Sequence, residues 1–302
     1  MDKIRKSINI PFIILLLIQA LPTKRDLEVS LPLTSFAIIL QIYYYIIYYN
    51  SESDIKKRTL KDVLTILFCF LIIWELATAK FDILDKVLYP SPSSIIILLI
   101  KEFPEFIKGA ISSFQILIIG YITALSLAIP LALVAGYNNR VYNAISPYTR
   151  VLGPIPPIVF IPYVIGIMPT FKMASIFVIF VGVFWPVFRL TLHGVLNIDK
   201  KIIQSARMLN VNNKTMIFKI VLPAILPSVL SGSSMGLSSS FGILTAAEMI
   251  GARSGLGFYV KYFSDFLNYP KVIVGIIYIG IAISLVNSLF KKIEEYFLRW
   301  QQ

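Results

Sequence analysis

The sequence predicts an all-α membrane protein, a polytopic helical bundle that crosses the bilayer several times. Hydrophobic residues make up 57% of the chain, charged residues only 15%, and the mean hydropathy is +0.79. A soluble domain of this length would carry about a quarter charged residues. The apolar residues also cluster in blocks of roughly 20, the length that crosses about 30 Å of hydrocarbon. An ordinary soluble enzyme is therefore excluded.

The chain contains about eight apolar blocks, and eight spans is the simplest interpretation. The blocks are 8–21, 31–49, 60–78, 111–136, 148–168, 173–193, 222–250 and 272–290. The first block is short for a span, so it either crosses the bilayer or lies in the interface.

The net charge of +12 comes from basic residues that lie between the apolar blocks. If both termini are cytoplasmic, more of these residues fall in the inner loops than in the outer ones, as the positive-inside rule requires. We therefore attribute the charge to orientation in the membrane and not to nucleic-acid binding. The prediction is a multi-pass protein of the cell membrane with both termini in the cytoplasm.

The segment 80–110 contains "LYPSPSS" followed by the short apolar run Ile95–Ile100. This run is too short to span, and a helix in the membrane interface that begins at the Pro-Ser turn is the better prediction.

The fifth block lies within the stretch "SPYTRVLGPIPPIVFIPYVIGIMPT", which contains six prolines. This density breaks a regular helix, and broken backbone at membrane depth survives only where protein or a cavity surrounds it. We therefore expect this block in the core of the bundle, with Pro156 and Pro157 as candidate lining residues of a pathway.

Between the sixth and seventh blocks, residues 197–213 are polar but carry regularly spaced apolar residues. Asp199 is a suitable helix cap and Asn210 a suitable helix stop, which predicts a short amphipathic helix on the cytoplasmic surface. Periodicity alone leaves two interpretations open. The helix either lies on the membrane surface or docks another protein.

The seventh block, "SGSSMGLSSSFGILTAAEM", is rich in glycine and serine. Gly232 and Gly236 favour close helix packing, whereas the hydroxyls favour a wet pathway. Both interpretations stay open, and Ser234, Ser238 and Ser239 are the candidate lining residues.

No motif for catalysis, cofactor binding or metal binding is found. The stretch "GARSGLGFYVK" lacks the Gly-Lys-Ser/Thr of a phosphate loop and is interpreted as a tight turn, and the chain has one His and one Cys. Glu248 and Glu75 lie near span ends, where structural anchoring is the simpler role. A secondary transporter and a non-transporting scaffold remain alternatives, although no inverted repeat or acid at mid-membrane supports the first.

Residues 204–223 resemble the cytoplasmic signature of binding-protein-dependent importer permeases, which reads Glu-Ala-Ala, three residues, Gly, nine residues, Ile-x-Leu-Pro. The segments "LYPSPSSI", "LGPIPPIVFIPYVI" and "AAEMIGARSGLGFYV" are similar to the nitrate/sulfonate/taurine/bicarbonate branch of these ABC permeases. The resemblance covers about residues 60–299. The chain departs from the signature in having Gln204 for Glu, Ser205 for Ala and Asn210 for Gly, although Asn also tolerates a left-handed turn.

The resemblance implies a six-span permease core at 60–302, with a coupling helix at about 197–213, preceded by an extension at 1–59 with one or two membrane segments. The implied ATPase-coupling residues are Gln204, Ser205, Ala206, Arg207, Leu209 and Asn210, and the signature ends at Ile220, Leu222 and Pro223. Ala206 and Leu209 are expected on one face, buried at the contact.

The implied function is import of a small solute, anionic or sulfonate-like, through a pathway that alternates between inward and outward access. The implied partners are a cytoplasmic ABC ATPase, a second copy of the permease, an external solute-binding protein and the lipid bilayer. ATP and magnesium would bind to the ATPase, and this chain would bind no cofactor.

Overall fold

The computed structural model describes residues 2–25, 30–51 and 53–299, and every regular element within these ranges is helical. The helices are α1 (Asp2–Ala20), α2 (Ser30–Asn50), α3 (Asp54–Glu75), α4 (Pro92–Lys101), α5 (Phe103–Tyr137), α6 (Asn139–Leu152), α7 (Ile161–Ile167), α8 (Phe171–Leu196), α9 (Lys200–Met208), α10 (Asn213–Thr215), α11 (Leu222–Gly251), α12 (Leu256–Asp265) and α13 (Tyr269–Phe297). A π-helical turn follows α3 at Leu76–Lys80, another precedes α11 at Met216–Val221, and a 3₁₀ turn lies at Pro157–Phe160.

Within the described residues, six helical stretches are long and apolar enough to cross a membrane. They are Leu31–Asn50, Asp54–Lys80, Phe103–Tyr137, Phe171–Leu196, Asn213–Gly251 and Tyr269–Phe297. The bent pair Asn139–Leu152 and Pro157–Ile167 makes a seventh if it counts as one span, and the apolar part of α1, Asn9–Ala20, is shorter. The prediction of a polytopic all-α bundle is confirmed.

The fifth apolar block is broken, as its prolines predict. The two helical parts on either side of residues 153–156 differ in direction by 82°. Pro156 and Pro157 lead into the 3₁₀ turn, where a proline ring cannot supply the N–H that a continuous α-helix needs.

The chain forms two compact units. One contains the residues up to Glu105 together with Tyr262–Ile276, and the other contains Phe106–Lys261 with the residues from Ile277 onward. These units follow spatial contacts, whereas the predicted boundary at residue 59 follows sequence resemblance and stays a prediction.

The core of the first unit is formed by α1, α2 and α3. Leu15, Leu33 and Phe68 are fully buried there, together with Tyr44. A polar contact also joins α1 to α2, because Asn9 Oδ1 accepts hydrogen bonds from Gln41 Nε2 at 2.8 Å and from the Tyr45 hydroxyl at 3.0 Å. Polar contacts of this kind hold helices together where hydrophobic association is weak.

The predicted interfacial helix of segment 80–110 is α4. Ser91 caps its first turn by accepting a hydrogen bond from the Ser94 N–H at 3.3 Å, and Pro92 begins the helix. The following helix, α5, begins at Phe103, several residues before the apolar block from which its span was predicted.

The core of the second unit is built around α8 and α11, which pack along each other. A Cβ on Gly236 would lie 3.0 Å from Val183 Cγ1, and a Cβ on Gly232 would lie 3.1 Å from Val187 Cα. Glycine at these positions therefore lets the two helices approach closely.

Candidate functional site

The predicted surface helix is α9, and both of its ends are fixed by local hydrogen bonds. At the start, Asp199 Oδ1 accepts from the Lys201 N–H at 2.9 Å. At the end, Asn210 adopts a left-handed conformation with φ of 51°. Its N–H donates to the Arg207 carbonyl at 3.0 Å, and the Val211 N–H donates to the Ala206 carbonyl at 3.2 Å. This is a Schellman ending, and the predicted cap and stop are both confirmed.

The apolar residues of α9 point in two directions. Ala206 is only 6% exposed and belongs to a cluster with Met216, Val221 and Ile225. Leu209, by contrast, is 78% exposed, and the neighbouring Met208 is 85% exposed. The prediction that Ala206 and Leu209 share one face is therefore wrong, because Ala206 packs against the chain's own helices and fixes α9 in place. Met208 escaped the sequence reasoning because it is not a signature position.

The other signature residues surround this arrangement. Gln204, Ser205 and Arg207 are exposed on α9, so their side chains are available to a partner. At the end of the signature, Ile220 and Leu222 are half-buried and Pro223 is exposed. Pro223 lies at the start of α11, directly after the π-helical turn, so its missing N–H interrupts the hydrogen-bond ladder of the continuous stretch Asn213–Gly251.

The serines and glycines of α11 divide between two faces of the helix. Gly232 and Gly236 face α8, as described above, and Ser233 and Ser240 are buried. Their hydroxyls donate to the carbonyls of Val229 and Leu237 within the same helix. The opposite face is exposed and consists of Ser231, Met235, Ser238, Ser239 and Gly242. Packing and exposed hydroxyls thus coexist on one helix.

The candidate lining residues lie mostly on accessible surfaces. Ser238 and Ser239 belong to the exposed face of α11, whereas Ser234 is half-buried beside it. Pro156 is exposed at the break of the fifth block. Pro157 is half-buried, and its Cγ lies 3.3 Å from where a Cβ on Gly182 of α8 would be.

Arg189 is a charged residue of α8 that the sequence analysis did not single out. It lies within a candidate span, is exposed, and its Cδ lies 3.9 Å from where a Cβ on Gly153 would be. The guanidinium is therefore placed beside the break of the fifth block. A charged residue inside a membrane span usually has a functional role.

Glu248 at the end of α11 is fully buried, although its position in the sequence suggested a place near the surface. Its Oε1 accepts from the Ser113 hydroxyl of α5 at 2.6 Å, and its Oε2 accepts from the Gly257 N–H of α12 at 2.7 Å. The Ser113 hydroxyl in turn accepts from the Leu256 N–H at 2.9 Å. The carboxylate therefore joins three helices, which supports the anchoring role.

The glycines of "GARSGLG" make room for this carboxylate. Gly255 has a φ of +128°, and a Cβ there would lie 2.3 Å from Glu248 Oε1. The first part of the stretch forms the predicted tight turn, but from Leu256 onward it belongs to the helix α12, which was not predicted.

Cofactor and metal sites were not expected in this chain. In the described ranges, no group of three or more His, Cys, Asp and Glu side chains is arranged to hold a metal ion. Whether the chain binds no cofactor at all stays a prediction.

Comparison with known proteins identifies a matching family and several relatives. The family model described as "binding-protein-dependent transport system inner membrane component" matches residues 128–299. A putative ABC transporter permease of Methanocaldococcus jannaschii is 29% identical over 238 residues, which is 76% of this chain and 88% of that protein. A putative aliphatic sulfonates transport permease of Bacillus subtilis is 27% identical over 235 residues, which is 76% of this chain and 83% of that protein.

A solved structure has a similar fold. It is a chain of the inward-facing MetNI methionine ABC transporter, with a TM-score of 0.58 and 17% sequence identity, and the match covers 65% of this chain and 98% of that chain.

Proposed function

We propose how this chain, which belongs to the family of binding-protein-dependent transport system inner membrane components, couples transport to ATP hydrolysis and which solute it carries. As a member of this family, the chain is a multi-pass permease subunit of an ATP-driven importer in the cell membrane. Helix α9 docks onto a separate cytoplasmic ATPase. The exposed face of α11 lines the pathway of a small anionic, sulfonate-like solute. Permease subunits are the non-catalytic part of such importers, so ATP hydrolysis takes place on the partner.

The observation that carries the docking proposal is the exposed apolar end of α9. Met208 and Leu209 offer two large side chains on a helix that is capped at both ends and held by the buried Ala206. Because this helix is already ordered, little conformational entropy is lost when a groove closes around the two side chains. A rigid apolar knob of this kind suits helix-in-groove recognition.

The basic residues beside this knob support a protein partner. Arg207 is exposed on α9, and Lys200 and Lys201 are exposed at the start of the same helix. Such charges complement an acidic rim around an apolar groove and increase the rate of association.

The proposal for the solute rests on α11 and Arg189. The exposed Ser238 hydroxyl provides a hydrogen-bond donor without bulk, and the Arg189 guanidinium beside the proline break provides a positive charge. The Ser239 hydroxyl donates to the Gly236 carbonyl at 3.0 Å and adds a small polar group to the same face. Guanidinium and hydroxyl groups together recognise oxyanions such as a sulfonate. The relative from Bacillus subtilis is named for aliphatic sulfonates, which agrees with this chemistry.

The remaining partners follow from the family. A second copy of the chain would complete the pathway and cover exposed faces in the membrane, and an external binding protein would deliver the solute. Both termini would be cytoplasmic, with α9 on the same side.

The docking proposal is tested with Leu209→Asp. Losing a buried apolar contact costs about 2 kcal/mol at an interface hot spot, which weakens association by roughly thirtyfold, and burying an unpaired charge adds to this loss. We expect the variant to insert normally but to lose the ATPase on co-purification and to lose solute-stimulated ATP hydrolysis in proteoliposomes. Lys214→Ala, beyond the end of α9, is the control and should behave as the native protein. Full complex formation by Leu209→Asp would reduce α9 to a surface anchor.

The solute proposal is tested separately with Arg189→Gln. In proteoliposomes loaded with ATP, uptake of an alkanesulfonate should fall while co-purification of the ATPase is unchanged. Lys172→Gln, an exposed charge at the other end of α8, is the matched control. Equal uptake by the two variants would remove Arg189 from the pathway.

A further inference from the structure

A cavity of about 380 Å³ lies in the first compact unit, and of its lining residues only Pro270 belongs to a candidate membrane span. It is lined on its polar side by Arg25, Lys86, Ser91 and Ser94 and on its apolar side by residues that include Ile97 and Leu98. The cavity is therefore formed where the connection after α1, the connection after α3 and the first turns of α4 come together.

Arg25 is a buried cation with one unused group of donors. Its side chain is only 7% exposed, its Nε pairs with the Asp82 carboxylate, and its Nη1 donates to the Tyr89 carbonyl at 2.7 Å. Its Nη2 is buried and has no hydrogen-bond partner among the residues that the structure describes. A buried polar group without a partner is costly, and it often marks a site for a ligand or an ion.

Further polar groups line the cavity beside Arg25. The Ser91 and Ser94 hydroxyls lie 2.8 Å apart at the start of α4, where the helix dipole favours an anion. The Lys86 ammonium lies 3.5 Å from Asp82 Oδ2.

Among the described residues, the ion pairs at the cavity join one acid, Asp82, to two cations, Arg25 and Lys86. The hydrogen bond from Arg25 lowers the pKa of Asp82 below its ordinary value, so this carboxylate stays ionised. A guanidinium edge, an ammonium group and two hydroxyls are the groups that bind a tetrahedral oxyanion.

We propose that this cavity binds a phosphate-type oxyanion, and that this oxyanion is the phosphodiester of a lipid headgroup. The connection after α3 favours a lipid over a free ion, since it exposes a row of large apolar side chains. These are Phe81, Ile83, Val87, Leu88 and Tyr89. Apolar and aromatic side chains next to basic residues, at the end of a membrane span, are typical of the headgroup region. The proposal is independent of the docking and solute proposals.

The experiment measures lipid retention by native mass spectrometry. The full-length chain is purified from membranes, delipidated in detergent and titrated with phosphatidylglycerol in one arm and with inorganic phosphate in the other. We expect the native chain to retain phosphatidylglycerol and Arg25→Gln to lose about tenfold in affinity, which corresponds to about 1.4 kcal/mol. Lys24→Gln is the control, because it removes the same charge from an exposed neighbour that does not line the cavity.

Two further variants guard against misfolding of Arg25→Gln, which also loses its pair with Asp82. Arg25→Lys keeps the charge but lacks the second Nη, and Ser94→Ala lacks only a hydroxyl, so each should show a smaller loss. Binding of inorganic phosphate that Arg25→Gln also weakens would support the oxyanion site and identify a free ion as its source. Equal retention of both probes by Arg25→Lys, Ser94→Ala, Lys24→Gln and the native chain would overturn the proposal.

Discussion

Two glutamates, Glu248 in α11 and Glu75 in α3, are equally buried but differ in their hydrogen bonding. Each is only 1% exposed and each lies within a candidate span. Both oxygens of Glu248 accept hydrogen bonds, from Ser113 and from Gly257. For Glu75, Oε2 has no partner in the described part of the chain. Burial of an acid therefore does not by itself reveal a structural role, and the number of its partners must be counted.

The difference also separates the two compact units. In the second unit, the carboxylate of Glu248 is built into the packing of α5, α11 and α12. In the first unit, Oε2 of Glu75 and both polar atoms of the Gln19 amide lack a well-formed hydrogen bond among the described residues. We therefore expect the Glu248 contacts to carry stability and those of Glu75 to carry little.

The largest effect is expected for Glu248→Ala. The change leaves the Ser113 hydroxyl and the Gly257 N–H without their acceptor in a buried site, which costs about 3 kcal/mol. Thermal unfolding in detergent, followed by tryptophan fluorescence, should shift down by roughly 6–12 °C. Glu295→Ala, an exposed acid of α13, should change the transition little. A shift as small as that of Glu295→Ala would show that the contacts of Glu248 carry no net stability.

Gly255→Ala tests the same site by placing a Cβ against the Glu248 carboxylate. Its backbone conformation costs an L-residue about 1–3 kcal/mol, and the new Cβ would collide with the Glu248 carboxylate. The control is Gly242→Ala in α11, where nothing lies within 4 Å of the new Cβ and where alanine favours the helix. Equal unfolding temperatures for the two variants would contradict the close fit around Glu248.

Glu75→Gln should have a small effect. Glutamine keeps the shape of the side chain and removes a charge that has no complete set of partners, so we expect a change within about 1 kcal/mol, in either direction. The same fluorescence measurement compares it with Glu248→Gln, which should be clearly destabilising. If Glu75→Gln lowered the unfolding temperature as much as Glu248→Ala, the proposed difference between the two acids would be wrong.

The smallest effect concerns the pH dependence of stability. The hydrogen bond from Arg25 holds the pKa of Asp82 below its ordinary value of 3.8. A lowered pKa in the folded state stabilises the protein above the pKa of the unfolded state, and this stabilisation is lost as the pH falls through the folded pKa. Between about pH 5 and pH 3, the native protein should therefore lose more stability than Asp82→Asn. Parallel losses would show that the ion pair contributes nothing.

Local signals in the sequence were sufficient for much of the fold. Proline density predicted the broken fifth block because proline lacks an N–H. Asn210 predicted the end of α9 because asparagine tolerates left-handed backbone. Each of these features depends on a few consecutive residues, so no tertiary information was needed.

The rest depended on contacts between distant residues. The partner of Glu248, Ser113, lies 135 positions away in the chain, and no local pattern connects the two. The orientation of Ala206 is likewise set by its packing against Met216 and Ile225, which turns Leu209 outward. Helical periodicity predicted that α9 is amphipathic but not which of its apolar residues the chain itself would cover.

The π-helical turn at Met216–Val221 has a consequence for the alignment of α9 with α11. A π-turn holds one residue more than the α-helical turn that it replaces, and each residue advances a helix by about 100°. Deleting Phe218, an exposed residue of this turn, would let regular α-helix run through it. The segment before the turn would rotate by about 100° against the exposed serines of α11, and Ala206 would leave its packing site. A single residue of chain length thus sets the direction in which the exposed Leu209 points relative to α11.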